Sequence, residues 1–126
     1  MSCCGDVMKP IEPASCCTPK DTVVLAARAM RKSGCYCAPV VENREGMKLV
    51  GVVTERDGCC GVAADDRMAS EVRVDAIMRP ASASCGEEDS IDAGRSRMHE
   101  HRTPSLPVVN KAGGCCGTIS MHTTDG

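Results

Sequence analysis

Gly51-Val52-Val53-Thr54-Glu55-Arg56-Asp57 reads as the end of a strand running directly into a helix. Thr54 ends the strand and Asp57 follows in the first helical turn. Such a junction offers free backbone N–H groups and the positive end of a helix dipole. Upstream, Ala38-Pro39-Val40-Val41 is a shorter strand, with Pro39 at its start, where the missing N–H costs least. A turn through Asn43-Arg44-Glu45-Gly46 joins it to Leu49–Thr54 as a hairpin. Residues 55–64 continue as a second helix, weakened by Gly58 and Gly61. Before the hairpin, Val23, Ala26, Ala27 and Met30 fall at i, i+3, i+4 and i+7, one apolar stripe of an amphipathic helix. Pro19 blocks helix propagation from upstream, Asp21 is the expected N-cap and Gly34 the expected stop. A short extended stretch ending near Cys16-Cys17-Thr18 leads in.

The same plan is written a second time. Asp6-Val7-Met8-Lys9-Pro10 returns as Asp75-Ala76-Ile77-Met78-Arg79-Pro80, with Met and Pro displaced by 70 positions. Pro39-Val40-Val41 returns as Pro107-Val108-Val109, displaced by 68, and Gly51-Val52-Val53-Thr54 as Gly117-Thr118-Ile119-Ser120, displaced by 66. Order is kept and spacing drifts little, so the chain is two copies of one unit. In the second copy a strand is expected over 81–85, a helix over 89–101, and a hairpin turning through residues 110–114. The sequence stops six residues after Ser120, so the second unit is expected to lack its last helix. The boundaries are 6–64 for the first unit, 65–74 for a charged connector and 75–126 for the second unit.

Composition narrows the function. At 126 residues, 42% apolar and 25% charged, the chain is one globular domain or two very small intertwined ones. A formal net charge of -2 argues against nucleic-acid binding, which needs a basic excess. No apolar run is long enough for a membrane span. The start, Met-Ser-Cys-Cys-Gly-Asp, has neither the pattern of a secretory signal nor a second-position Gly for myristoylation. Tyr36 is the one aromatic residue, with no Phe and no Trp, so the core must come from Val, Ile, Leu, Met, Ala and Cys.

Cysteine is abundant, at 11 residues, and eight lie in the adjacent pairs Cys3-Cys4, Cys16-Cys17, Cys59-Cys60 and Cys115-Cys116. Neighbours rarely bridge each other, and the spacing lacks the Cys-x-x-Cys knuckle of structural zinc. Most of these thiols are read as small buried hydrophobes, with a metal or redox role as the alternative. Abundant unpaired thiols fit a reducing cytoplasm.

Strand, helix, strand, strand, helix, written twice, resembles the tandem cystathionine-beta-synthase (CBS) domain pair. The resemblance rests on the two Met-x-Pro segments, Asp21-Thr22-Val23, Ala38-Pro39-Val40-Val41 and, above all, Gly51–Asp57. It implies an α/β fold of the α+β type, with two β-α-β-β-α units related by a pseudo-two-fold axis. Two clefts lie at their interface, and in this family they hold adenosine-containing ligands such as AMP, ATP or S-adenosylmethionine. Pairs of this family also associate as dimers, so a homodimer is expected. At the first cleft Thr54 offers a hydroxyl to a phosphate, Arg56 charge-assisted bonds to it, and Asp57 a carboxylate to the ribose hydroxyls. Backbone around Tyr36, Cys37 and Ala38, before Pro39, edges the adenine pocket, and Thr18 forms its other wall by analogy. At the second cleft Ser120 matches Thr54 and His122 is a further anion contact, as is Arg102. Thr123 stands where the acidic residue is expected, with Asp125 two residues late.

The expected function is a non-catalytic regulatory module that binds an adenine nucleotide and signals its presence to a protein partner. No resident cofactor is called for. Two alternatives are a thiol-based redox or metal-responsive protein, with Cys35 and Cys37 in play, and a ligand-free dimerisation unit. An enzyme is disfavoured because the chain has no Walker loop, no Gly-x-Ser-x-Gly and no His-Glu-x-x-His. His99-Glu100-His101 is the polar end of a helix.

Overall fold

Valine-rich hairpins and one amphipathic helix per half produce a twice-written α+β architecture. The computed structural model describes residues 2–124; Asp125 and the side chain of Thr123 lie outside the described residues. The first half comprises α1 (Cys4–Val7), β1 (Lys9–Pro10), α2 (Val23–Ser33), β2 (Cys37–Val41), β3 (Leu49–Thr54) and α3 (Glu55–Gly58). The second comprises β4 (Arg79–Pro80), β5 (Cys85–Gly86), α4 (Ile91–Glu100), β6 (Ser105–Val109), β7 (Cys115–Ser120) and α5 (Met121–Thr124). The two hairpins share one register: Cys37 faces Thr54 and Ser105 faces Ser120, with bulges at Val40/Val41 and Val108/Val109.

The halves exchange their lead strands. Lys9 and Pro10 of β1 pair with Thr118 and Gly117 of β7, while Arg79 and Pro80 of β4 pair with Val52 and Gly51 of β3. The sheets are therefore β1-β7-β6-β5 and β2-β3-β4. The crossing explains two glycines at equivalent positions. A Cβ at Gly51 would lie 2.7 Å from both the Arg79 carbonyl oxygen and Met78 Sδ. One at Gly117 would lie 2.7 Å from the Lys9 carbonyl oxygen and 2.6 Å from Met8 Sδ. The core continues across the same seam, where Cys37 and Val52 pack with Met98, Leu106, Val108 and Ile119.

Several local expectations are corrected. Thr22, not Asp21, is the N-cap of α2. Asp21 instead accepts the Thr18 N–H at 2.8 Å and pairs with Arg44 at 3.1 Å, closing the turn ahead of the helix. Asp89 does the same in the second half, accepting the Gly86 N–H at 2.8 Å, and leaves capping to Ser90. In α2 the buried face is Val23, Ala26, Ala29 and Met30, and Ala27 is exposed. Gly34 does stop the helix, at φ 74. Its counterpart in the second half, Arg102, adopts the same left-handed backbone at φ 54.

The helix expected over 55–64 is one α-turn, α3, followed by a wider π-type turn, Cys59–Ala63. Of the strand expected over 81–85 only Cys85 pairs, extending to Gly86, because Ala81–Ser84 is taken up by a turn that the Ala83 N–H closes on the Pro80 carbonyl. The 65–74 stretch holds buried Val72 and Val74, whose backbone bonds to Val23 and Asp21 clamp the start of α2. After β7 the chain does begin a helix, α5.

Six thiols, Cys4, Cys16, Cys17, Cys37, Cys85 and Cys115, are buried as aliphatic stand-ins, and all 11 are unpaired. Burial pushes Cys17, Cys37 and Cys85 up to about 12, so they stay protonated at neutral pH. Gly94 is buried in α4, where a Cβ would lie 2.8 Å from Cys4 Sγ, so its lack of a side chain lets α1 pack close. Among the described residues no helix is long and apolar enough to cross a membrane.

Candidate functional site

The strand exchange builds two equivalent seams, each between a lead segment, the loop after a helix and the end of a hairpin. At one seam Lys9 of β1 reaches across the loop after α2, its ammonium donating to the Ser33 carbonyl at 2.5 Å. A cavity of about 200 Å³ opens there, lined by Lys9, Ser33, Gly34, Cys35, Tyr36, Thr118, Ser120 and His122. A second lobe of about 210 Å³ shares Lys9, Ser33, Cys35 and Thr118 and adds Lys32 and Glu12. Cys35 Sγ lies 3.4 Å from Thr118 Oγ1, linking the two halves at the cleft floor. Tyr36 is 43% exposed at the cleft. Lys9 and Lys32 supply cationic groups and the exposed His122 an imidazole, while Ser120 and Thr118 supply hydroxyls.

The equivalent seam is closed. Arg79 of β4 places Nε 3.0 Å from Asp57 Oδ1 and 3.1 Å from Oδ2. Its Nη2 donates to Thr54 Oγ1 at 3.3 Å, and Nη1 donates to the His101 carbonyl. Arg79 and Asp57 side chains are only 20% and 15% exposed. Asp57 Oδ2 also accepts the Thr54 N–H at 2.9 Å, and Thr54 Oγ1 the Asp57 N–H at 3.2 Å, a complete capping box.

The residues singled out from sequence therefore fall into separate places. Tyr36, Ser120 and His122 share the open cleft. Thr54 and Asp57 are held by Arg79 at the closed seam, and Arg56 is exposed on α3 without reaching either group. Cys37, Ala38 and Pro39 are buried in β2, their backbone paired to β3. Thr18 lines a different cavity of about 460 Å³ with Asn43, Arg44, Val50 and Met78. Lys9 and Arg79 were missed, although the repeat itself carries the signal: a basic residue precedes Pro in both lead segments.

Cys16 and Cys115 come together across the halves in a buried cluster with Val41 and Leu49. The proximity of Cys115 holds the Cys16 thiol below its usual value, and the proximity of Cys16 together with burial pushes Cys115 up. Among the described residues no three His, Cys, Asp or Glu side chains gather as a metal set.

Comparison with known proteins agrees with this fold. The chain is 32% identical over 101 residues to homoserine O-acetyltransferase of Methanosphaerula palustris, covering 80% of this chain and 19% of that protein. It spans about a fifth of the length of the curated relatives it matches. A CBS-domain protein structure from Burkholderia ambifaria superposes with a TM-score of 0.73 at 31% identity, covering 87% of this chain and 78% of that one. The structure of CBSX2 in complex with AMP superposes with a TM-score of 0.74 at 19% identity, covering 99% and 94%. The CBS domain model matches residues 4–57 and 73–123, and the chain belongs to the CBS domain family, which it carries as a pair.

Proposed function

We propose that this chain is a non-catalytic regulatory module that binds an adenine nucleotide in the open cleft between its halves. One observation carries the reading: both halves converge on that cleft with the chain's single Tyr and a set of cations and hydroxyls. The Tyr36 ring stacks on the base, and stacking of this kind contributes about 1–3 kcal/mol. Lys9 and His122 face the phosphate, with Ser120 donating a hydroxyl. The AMP complex of CBSX2, which shares the fold, supports the ligand class. The 11 unpaired thiols support a reducing, cytoplasmic setting.

Binding across the seam favours whichever arrangement of the halves closes on the ligand, and a protein partner reads that shift. The apolar groove of about 640 Å³ between α2 and the Cys59–Ala63 turn, bordered by Ala27, Met30, Cys59 and Ala69, is the face through which two copies associate. Calorimetric titration with AMP, ADP, ATP and S-adenosylmethionine tests the reading. Saturable heat that Lys9→Met weakens tenfold or more supports it; no heat with any of the four at millimolar concentration discards it.

Thiol chemistry is the second reading, favoured by the placement of Cys16 and Cys115 in one buried cluster. Hydrogen peroxide would take two electrons and two protons from the pair. One disulfide forms, the O–O bond breaks, and two waters leave. Peptide mapping after peroxide treatment detects this bond or excludes it.

A further inference from the structure

The two seams share one backbone plan and differ in their side chains, first of all in the lead-segment base. The counterparts of Lys9, Ser33, Tyr36, Ser120 and His122 are Arg79, His101, Pro104, Thr54 and Arg56, by the displacements of 70, 68, 68, 66 and 66 in the repeat. Lys9 and Arg79 make the same first contact, to the carbonyl of Ser33 and of His101. Beyond that contact they diverge. Arg79 has further N–H groups in a planar fork, and a carboxylate, Asp57, stands in reach. At the sequence position matching Asp57 the second half carries Thr123.

We infer that Arg79 is an internal plug: its guanidinium occupies Asp57 and Thr54 and keeps the first seam from taking a nucleotide, so each chain binds one ligand. The inference rests on the nucleotide reading above for the ligand class, but it concerns the opposite seam. Three of the guanidinium's nitrogens are engaged, by the carboxylate, the Thr54 hydroxyl and the His101 carbonyl. A ribose would have to displace a charge-assisted fork from Asp57 with two neutral hydroxyls, while the guanidinium lost its partner in a largely buried place. The hydroxyls would also bond to an ionised carboxylate, but removing the partner of a largely buried guanidinium leaves its charge uncompensated, and that loss makes the exchange unfavourable. Pro104, standing where Tyr36 stands in the open cleft, offers a base no aromatic face.

The plug rests on β4, whose pairing with β3 positions Arg79 opposite Val52. Replacing its side chain leaves that ladder intact, and Asp57 keeps its bond from the Thr54 N–H. The test is calorimetric stoichiometry of the full chain with AMP, with folding checked by circular dichroism. One site in the parent chain and two in Arg79→Met are expected, the added site vanishing in Arg79→Met with Asp57→Asn. Two sites in the parent, or no added site in folded Arg79→Met, would overturn the plug. A parent that binds nothing while Arg79→Met binds one AMP discards the open-cleft reading and upholds the plug. Should Arg79→Met fail to fold, Asp57→Asn alone decides: unchanged AMP affinity and stoichiometry support the plug, and loss of a site overturns it.

Discussion

Lys9 and Arg79 stand at equivalent positions of the two halves, and each donates to the backbone carbonyl at the end of its own half's long helix, Ser33 for Lys9 and His101 for Arg79. Both side chains sit on strands that belong in sequence to one half and in the sheet to the other. The seam between the halves is thus a matched pair of crossings, and its chemistry depends on what each basic side chain meets next.

The crossing sets a strict steric limit at Gly51. Gly51→Ala puts a Cβ against a backbone oxygen at 2.7 Å, which a side-chain rotation cannot relieve. Denaturant unfolding should show a loss of about 1–3 kcal/mol, with the same sign for Gly117→Ala. Gly58→Ala, in a helical turn with nothing within 4 Å of the new Cβ, should be neutral or stabilising.

Arg102 carries a backbone conformation that its counterpart Gly34 adopts without strain. A left-handed residue with a Cβ costs roughly 1–2 kcal/mol. Arg102→Gly should therefore raise the thermal midpoint, with a gain of about 1 kcal/mol after the extra chain entropy of glycine. An unchanged or lower midpoint would show that the Arg102 side chain contributes more than its backbone costs.

Stability should fall in alkali. The ordinary thiol value is 9.0, and burial holds Cys17, Cys37 and Cys85 near 12. Between these limits the unfolded chain releases protons that the folded chain retains, so the unfolded state binds fewer and stability declines as pH rises. Below 9 these three thiols contribute no slope. Denaturant midpoints measured across that window should drop progressively, and Cys17→Ala should blunt the fall. A thiol reagent at neutral pH should label the exposed Cys59 and Cys60 first.

The α2 groove predicts self-association. Ala27 is exposed at its edge, so Ala27→Glu can add charge without disturbing the core. Sedimentation should give a dimer for the parent chain and a monomer for the variant. A monomeric parent would remove the groove as a contact between copies.

Much of the architecture was legible because it is periodic. The α2 stripe, the Gly34 stop and both hairpins follow from spacing alone, and the duplication fixed the order of elements. Ala27 reads as part of the buried stripe where the structure buries Ala29, because the two alanines carry the same chemistry and only the neighbouring elements decide which one is covered. The strand exchange was hidden because β1 and β4 are two residues each, too short to show a period, and their partners lie far along the chain. For the same reason Asp57 read as an open ribose acceptor. The guanidinium that holds it comes from the other copy, 22 positions away, and arrives only through the exchange.

The most direct test of the nucleotide cleft uses its one tyrosine. With no Phe or Trp in the chain, the Tyr36 ring resonances report on that wall of the cleft in an NMR titration with AMP. The account predicts saturable shifts of the Tyr36 ring, reaching their end-point at one AMP per chain, and their loss in Lys9→Met. Tyr36 resonances that stay in place while AMP binding is registered elsewhere on the chain would contradict it.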